Sequence, residues 1–331
     1  MKVSVALTVY NKAPFLKEVL DSIFAQTFGD YEIVAVDDKS TDDSLQVLRA
    51  IQDPRLRIVE LAENLGHPGA TRTAFEQSRG EYIIRCDADD RSRPERFAKQ
   101  VAFMDAHPEI GMSGGALQLF GDSDDVWSFP LDNDACQAQV LFGNPVPDCA
   151  SIIRRSVLVE NDVGFRTAWP RVSADWLFML DVAAVSRFGN IPEVILDYRR
   201  GEQNISALSR SMEARRKVVE LGLQRLGLEG SPEEVESHLT SIGTIKAKTS
   251  EQVHVVHAWL KTMERINATT ERSSAEAFRK MKAVIWRRLF FTLEAADRKA
   301  LWTYIKLSGG LPRDLALYLL KVRISALLGR Q

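Results

Sequence analysis

The 331-residue chain is poor in cysteine: Cys86, Cys136 and Cys149 are odd in number and show no CxxC spacing. That argues against a disulfide framework or a zinc site, and a reducing compartment is the default. Long apolar runs are also lacking. No uncharged stretch approaches the ~18 residues that a spanning helix needs. The short alternating segment Met1–Val9 leads to no small-residue cleavage site, so it does not read as a signal peptide. The expectation is a mature cytoplasmic protein. Net charge is nearly absent, with 43 basic against 45 acidic residues. No nucleic-acid module is recognisable, so nucleic acid is not an expected partner. With 45% hydrophobic and 27% charged residues, the composition excludes disorder, collagen-like repeats and coiled coils.

The balanced total hides an asymmetry. Residues 1–206 carry 21 basic and 32 acidic residues, a balance of −11, whereas residues 207–331 carry 22 and 13, a balance of +9. The acidic part alternates two periods. Val3, Val5, Leu7 and Val9 share one face of a strand, and Leu16, Val19, Leu20 and Ile23 then repeat at helical spacing. Strands follow at 32–36, 56–61 and 82–84. Helices carry Leu45, Leu48 and Ile51, residues 70–78, and Phe97, Val101 and Met104. Ser40 with Asp43 reads as a capping box, and Pro94 as the first residue of a helix. This alternation predicts an α/β fold with a mostly parallel sheet and helices on both faces, whose ligands lie at the carboxyl ends of the strands. The expected boundary is near Ser206. Beyond it come charged amphipathic helices, interrupted at residues 227–232 and 309–312.

Both acidic clusters, Asp37-Asp38 and Asp87-Ala88-Asp89-Asp90, fall at predicted strand ends. Three carboxylates this close resist joint ionisation unless a cation compensates them. An oxygen-rich cluster suits Mg²⁺ or Mn²⁺, and Mg²⁺ commonly takes one or two carboxylates plus substrate phosphates. Taken alone, each cluster reads first as a solvated helix cap.

Several ordered motifs change that balance. Thr8-Val9-Tyr10-Asn11, Val36-Asp37-Asp38-Lys39-Ser40-Thr41-Asp42 and Gly80-Glu81-Tyr82-Ile83 lead to Asp87-Ala88-Asp89-Asp90. Asn144-Pro145, Ser151–Arg155, Ser173-Ala174-Asp175-Trp176, Ile191–Val194 and Tyr198-Arg199-Arg200 follow. Over residues 1–206 the chain resembles the family-2 glycosyltransferases of the GT-A fold. The resemblance implies an inverting transferase that uses a UDP- or GDP-sugar and a divalent cation. Thr8, Tyr10 and Asn11 would wall the nucleobase pocket, and Asp38 would accept a hydrogen bond from the base. Asp87 and Asp89 would hold the ribose and the metal–diphosphate, with the metal on Asp89 and Asp90. Arg72 would add a positive contact. Asp175 would be the catalytic base for an acceptor hydroxyl, on a saccharide or lipid-linked saccharide of a growing bacterial-type surface polysaccharide or lipopolysaccharide.

The chain departs from the family pattern at several places. Ala174 stands where a glutamate is usual, Lys39 where a glycine is frequent, and Thr73 where an asparagine is common. Gly201 occupies the place of a histidine that follows the Tyr-Arg pair in many members. No histidine lies near it in the sequence, so Arg199 or Arg200 is expected to supply the positive charge. A catalytically weakened, nucleotide-sugar-binding relative is therefore the alternative. A receiver domain is excluded because its acidic pair follows the first strand. A sugar nucleotidyltransferase is excluded because no GxGTRL-like loop follows that strand.

Residues 271–331 hold 13 basic and 5 acidic residues interleaved with Phe278, Trp286, Phe290, Phe291, Trp302, Tyr304 and Tyr318. Two amphipathic helices, at 287–291 and 315–323, fit an anionic membrane surface, which would place the protein peripherally on the inner face of the cell membrane. The other readings are a subdomain packed on the catalytic region and a homo-oligomer contact.

Overall fold

The computed structural model describes residues 1–201, 211–293, 298–310 and 312–318. The expected boundary at Ser206 and the residues 319–323 of the last amphipathic helix lie outside them.

Strand β1 (Val3–Val9) leads through α1 (Ala13–Phe24) to β2 (Tyr31–Asp37), and α2 (Ser44–Ala50) leads to β3 (Leu56–Glu60). Helix α3 (Gly66–Gln77) then leads to β4 (Tyr82–Asp87). These four strands are parallel, in the order β3-β2-β1-β4. The sheet continues with β8 (Ile152–Arg154), β6 (Ile110–Gly121), β9 (Arg187–Arg200) and the short β5 (Arg91–Ser92), while β7 (Val126–Trp127) pairs with β6. Strand β8 is antiparallel to β4 and β6, and β6 runs parallel to β9. The sheet is thus mixed, with its parallel half carrying both acidic clusters.

Alternation along β1 builds two cores. Val3, Val5, Leu7 and Val9 join Leu16 and Leu20 of α1, Leu48 of α2, and Phe97 of α4 (Arg96–Ala106) on one face. Ala6, Val34, Val36 and Ile83 point the other way, toward Ala70, Ala74 and Phe75 of α3 and toward α7 (Ala174–Val185). Successive strand residues face opposite sides of a sheet, so one apolar strand feeds both layers.

Two helix starts differ from the sequence expectation. Ser40 and Asp43 form no capping box: α2 begins at Ser44, and its N-cap Asp43 makes no side-chain cap bond. Ser40 Oγ instead accepts from the Asn11 amide, and Ser44 Oγ from the Lys12 amide. Pro94 lies two residues before α4, where its carbonyl accepts from the Thr27 amide at 2.9 Å. Helix α3 begins at Gly66, a turn earlier than expected.

Past the sheet run α8 (Met212–Arg225), α9 (Pro232–Ser241), α10 (Ser250–Thr270), α11 (Ala275–Thr292) and α12 (Arg298–Ser308); residues 313–318 are also helical. The expected breaks fall between helices at 227–231, with Pro232 opening α9, and at the described residues 309, 310 and 312. Hydroxyl side chains cap the starts: Ser231 with Glu234, and Thr249 with Gln252, form capping boxes. Ser274 caps α11 and donates its hydroxyl to Asp134 on α5 (Asn133–Val140). The helices share one core with the α7 face of the sheet. At that seam His238 is fully buried, its ring 5.1 Å from Trp176 and 6.0 Å from Phe142.

Candidate active site

The parallel register brings three strand ends together: Val9 lies opposite Asp37, and Thr8 opposite Asp87. The loops leaving β1 and β2 are stitched to each other. Asn11, at φ 52°, accepts the Thr41 amide at 2.8 Å on its side-chain oxygen, and Asp42 accepts the Ala13 amide at 3.0 Å. Lys39 sits at φ 61°, the left-handed region. Glycine enters that region more readily than other residues, in keeping with the glycine that the family resemblance leads one to expect there. Tyr10 is half exposed at the same end, its ring available for a planar ligand.

Asp38 is buried and turned to its neighbour loop. One oxygen accepts the Leu65 amide at 2.7 Å, and its main-chain carbonyl accepts from Asn64. Burial pushes its carboxyl above the ordinary range despite these donors. Arg171 clamps the same loop through Asn64, at 2.7 and 2.9 Å. Gly66 has φ +72°, and a β-carbon there would stand 2.8 Å from the Arg171 side chain. The chain needs glycine at this close approach.

The Asp87–Asp90 loop holds three carboxylates in three environments. Asp87 meets Arg85 at 2.7 Å, and Asp89 meets Lys12 Nζ at 2.5 Å. Asp90 accepts the Arg199 amide at 2.9 Å on one oxygen, while its other oxygen is buried and has no hydrogen-bond partner among the described residues. Burial raises the carboxyl of Asp89, and raises that of Asp90 well above the ordinary range, with Asp89 and Asp87 adding repulsion. Ligand atoms of Asp87, Asp90 and Cys149 lie within 4.8 Å of one another. Asp87 and Asp90 thus form a compact carboxylate pair. Burial holds the Cys149 thiol protonated, and a thiol is a poor ligand for a hard cation.

Behind the loop lies a buried ionic group that the sequence does not reveal. Arg85 is fully buried and contacts Asp87, Asp148 and His67 at 2.7, 3.4 and 2.6 Å. Burial opposes its charge, and the two carboxylates more than offset that. Burial also works against the Asp148 carboxylate, but Arg85 and His67 keep its pKa below the ordinary value. His67, 3.7 Å from Asp148, thus lies in the site although no histidine is near it in sequence.

Asp175 lies in the first turn of α7; the N-cap is Ser173, at φ 56°. Its carboxylate accepts from the Asn144 side-chain amide. Burial raises its pKa, Asp148 adds to the rise, and His67 opposes it. Asp175, Asn144, Asp148, His67 and Asp87 line one cavity of about 560 Å³, walled on another side by Trp127 and Tyr198 with rings 5.6 Å apart.

Arg72 does not line this cavity. It pairs with Glu76 at 2.7 Å and borders a separate groove with Arg155 and Asp162. Besides Arg85, Lys12 and Arg199 lie beside the acidic loop, the latter donating to the Asp89 carbonyl at 2.9 Å and also meeting Glu18. Arg200 lies over the Trp127 ring at 5.4 Å.

A mixed sheet with carboxylates at its parallel strand ends, facing a further carboxylate across a cleft, is the architecture of the GT-A transferases. The sequence profile of Glycosyl transferase family 2 matches residues 4–159. An uncharacterized glycosyltransferase of Haemophilus influenzae is 31% identical over 219 residues, which span 62% of this chain and 67% of that protein. The chain belongs to glycosyl transferase family 2 and is a glycosyltransferase. TarS of Staphylococcus aureus, a poly(ribitol-phosphate) β-N-acetylglucosaminyltransferase, is 36% identical over 111 residues, 32% of this chain and 19% of that protein. Its solved 1–349 fragment with UDP-GlcNAc superposes over 95% of this chain and 93% of the fragment, with a TM-score of 0.62 and 17% identity. The mannosyltransferase PcManGT of Pyrobaculum calidifontis, solved with GDP-Man and Mn²⁺, covers 100% of this chain and 88% of its own, with a TM-score of 0.53 and 18% identity.

Proposed function

We propose that the protein transfers a sugar from a UDP- or GDP-sugar to a hydroxyl of a growing bacterial-type surface saccharide, with inversion at the anomeric carbon. The single observation that carries this reading is that Asp87 of the acidic loop and Asp175 line the same cavity. The bound donors of TarS and PcManGT support a nucleotide-sugar, and the polymeric acceptor in the name of TarS supports a glycan acceptor.

Tyr10, Thr8 and Asn11 wall the base, and Asp38 is the acceptor for a base N–H through whatever capacity the Leu65 amide leaves it. Asp87, Asp89 and Asp90 are the residues that hold Mg²⁺ or Mn²⁺ and the ribose–diphosphate. The orphaned buried oxygen of Asp90 beside Asp87 fits a hard cation. When bound, the cation neutralises the departing nucleoside diphosphate. Lys12 and Arg199 add positive charge at that end. Asp175 takes the proton of the attacking hydroxyl, held in place by Asn144. Its position across the cleft from the acidic loop suits a one-step displacement. Residues 1–206 carry this chemistry, and the basic region from 207 onward, helical over its described residues, serves a membrane surface, packing on the catalytic region or oligomerisation.

The test is product analysis with nucleotide-sugars and Mn²⁺. Diphosphate release with an inverted anomer supports the reading; nucleotide-sugar binding without any release marks a binding protein.

A further inference from the structure

The helical region contains a second large cavity, about 510 Å³, remote in sequence from the acidic loop. Helical periodicity builds its walls. His257, Leu260, Lys261 and Glu264 recur at three- and four-residue spacing on α10, as do Arg279, Lys282, Ala283, Trp286 and Arg287 on α11. Tyr304 and Leu307 of α12 close the third side, and Leu260, Trp286 and Tyr304 are buried and give it an apolar base.

The charge on these walls is one-sided. Lys282 pairs with Glu264, and Arg287 with Asp314. Among the described residues Lys261 and Arg279 have no carboxylate within 4 Å, and both side chains are exposed. Burial lowers the pKa of His257, and Lys261, His254 and Lys282 lower it further. The groove is thus lined by Lys261, Arg279, Lys282 and Arg287 against one carboxylate, Glu264, and its net charge is positive. Apolar surface adjoins it: Arg287 lies 5.7 Å from the ring of Phe291, which is half exposed and packs on Tyr318.

We propose that this groove binds a phosphate or diphosphate group carried next to an apolar chain. Lys261 and Arg279 meet the phosphate oxygens, and Trp286, Tyr304 and Leu260 receive apolar atoms. The same chemistry comes from the headgroup of an anionic lipid or from a soluble phosphate ester. Ala283 leaves the room: a large side chain at this exposed helical position fills the groove without altering its charge.

The experiment uses the full chain in EDTA, so that no cation bridges a diphosphate to the acidic loop. Two probes are applied: pyrophosphate by calorimetry, and phosphatidylcholine vesicles with and without phosphatidylglycerol by sedimentation. Binding of pyrophosphate alone assigns the groove to soluble phosphate esters. Binding of phosphatidylglycerol vesicles alone assigns it to a lipid headgroup, and binding of both supports the shared chemistry. Lys261→Glu with Arg279→Glu should weaken binding at least ~10-fold at low salt, and Ala283→Phe should weaken it without a change of charge. Both sets of positions are on the surface, and thermal unfolding checks the fold of each. The proposal is overturned if the wild type binds neither probe, or if the charge-reversed chain binds as the wild type does. It is also overturned if charge reversal weakens binding while Ala283→Phe does not, because the contact then lies outside the groove.

Discussion

At the scale of the residue, the site separates into groups that position in the sequence announces and groups that only space assembles. Asp175→Asn keeps the shape and the contact with Asn144 but removes the base, so transfer should fall ~10²-fold or more with donor affinity little changed. Transfer near the wild-type rate would make Asp175 a helix-start residue and nothing else. The pH dependence has a definite sign. Burial first, and then Asp148, raise the Asp175 pKa, and the base acts when deprotonated. The rate should therefore fall on the acid side at a pH above that of an ordinary carboxylate, and Asp148→Asn should move that limb to lower pH. A limb that stays in place in this variant would remove Asp148 from the electrostatics of the base. For the cation, Asp89→Ala and Asp90→Ala should each abolish the Mn²⁺-dependent thermal stabilisation by UDP. Lys12→Ala releases Asp89 from its ion pair and removes one positive charge near the diphosphate, so it should weaken that stabilisation without abolishing its dependence on Mn²⁺. Metal-dependent stabilisation that survives both aspartate changes would place the cation elsewhere. Asp87 to Asp90 were legible because they follow an apolar strand. His67 and Asp148 were not, because their significance is a buried partner, Arg85, that folding brings from another segment.

At the scale of the element, alternation and helical spacing located the strands and most helices, since burial of one face leaves a period in the sequence. Helix starts were less legible where loop side chains serve a distant loop. Ser40 reads as a local cap with Asp43, yet its hydroxyl binds the amide of Asn11, and that of Ser44 the amide of Lys12, about thirty residues away. The aromatic residues of the basic region misled in a similar way. Phe278, Trp286, Phe290 and Tyr304 are buried in the shared core, whereas Trp302 is 72% exposed; interleaving with cations does not tell a core stripe from a surface anchor. Helix α9 yields a stability test. Among the described residues neither ring nitrogen of His238 has a hydrogen-bond partner, and burial lowers its pKa to about 3. The unfolded chain binds a proton there below pH ~6.5 while the folded chain does not. This group's stabilisation is present above that pH and is lost as pH falls toward 3. By pH 5 the loss is about 2 kcal/mol. His238→Leu, measured by urea unfolding at pH 7 and pH 5, should lose that part of the pH dependence. An unchanged difference between the two pH values would show that His238 is protonated in the folded chain.

At the scale of the whole molecule, the sheet and the basic helices meet through α7 and α8. Asp181 of α7 pairs with Arg225 of α8 at 2.7 Å, and the indole of Trp176 donates to the Val140 carbonyl at 2.8 Å. Gly222 of α8 lies against that same indole: a β-carbon there would stand 2.4 Å from a ring carbon. Glycine within a helix costs about 1 kcal/mol relative to alanine, so its presence here reflects contact rather than propensity. Gly222→Ala would regain that propensity but force Trp176, and with it the seam holding His238, to shift. Overpacking of this kind typically costs about 1–3 kcal/mol, and the indole is held on its far side by α5, so we expect net destabilisation. Because Trp176 follows Asp175 directly, donor-independent protection of the 173–177 amides in hydrogen exchange should fall together with that of α8. A single lowered unfolding transition, with coupled loss of protection in both segments, is the expected result. Two separated transitions, or lost protection confined to α8, would mean that the helices are an appendage to the catalytic layer and that the shared core does not couple them.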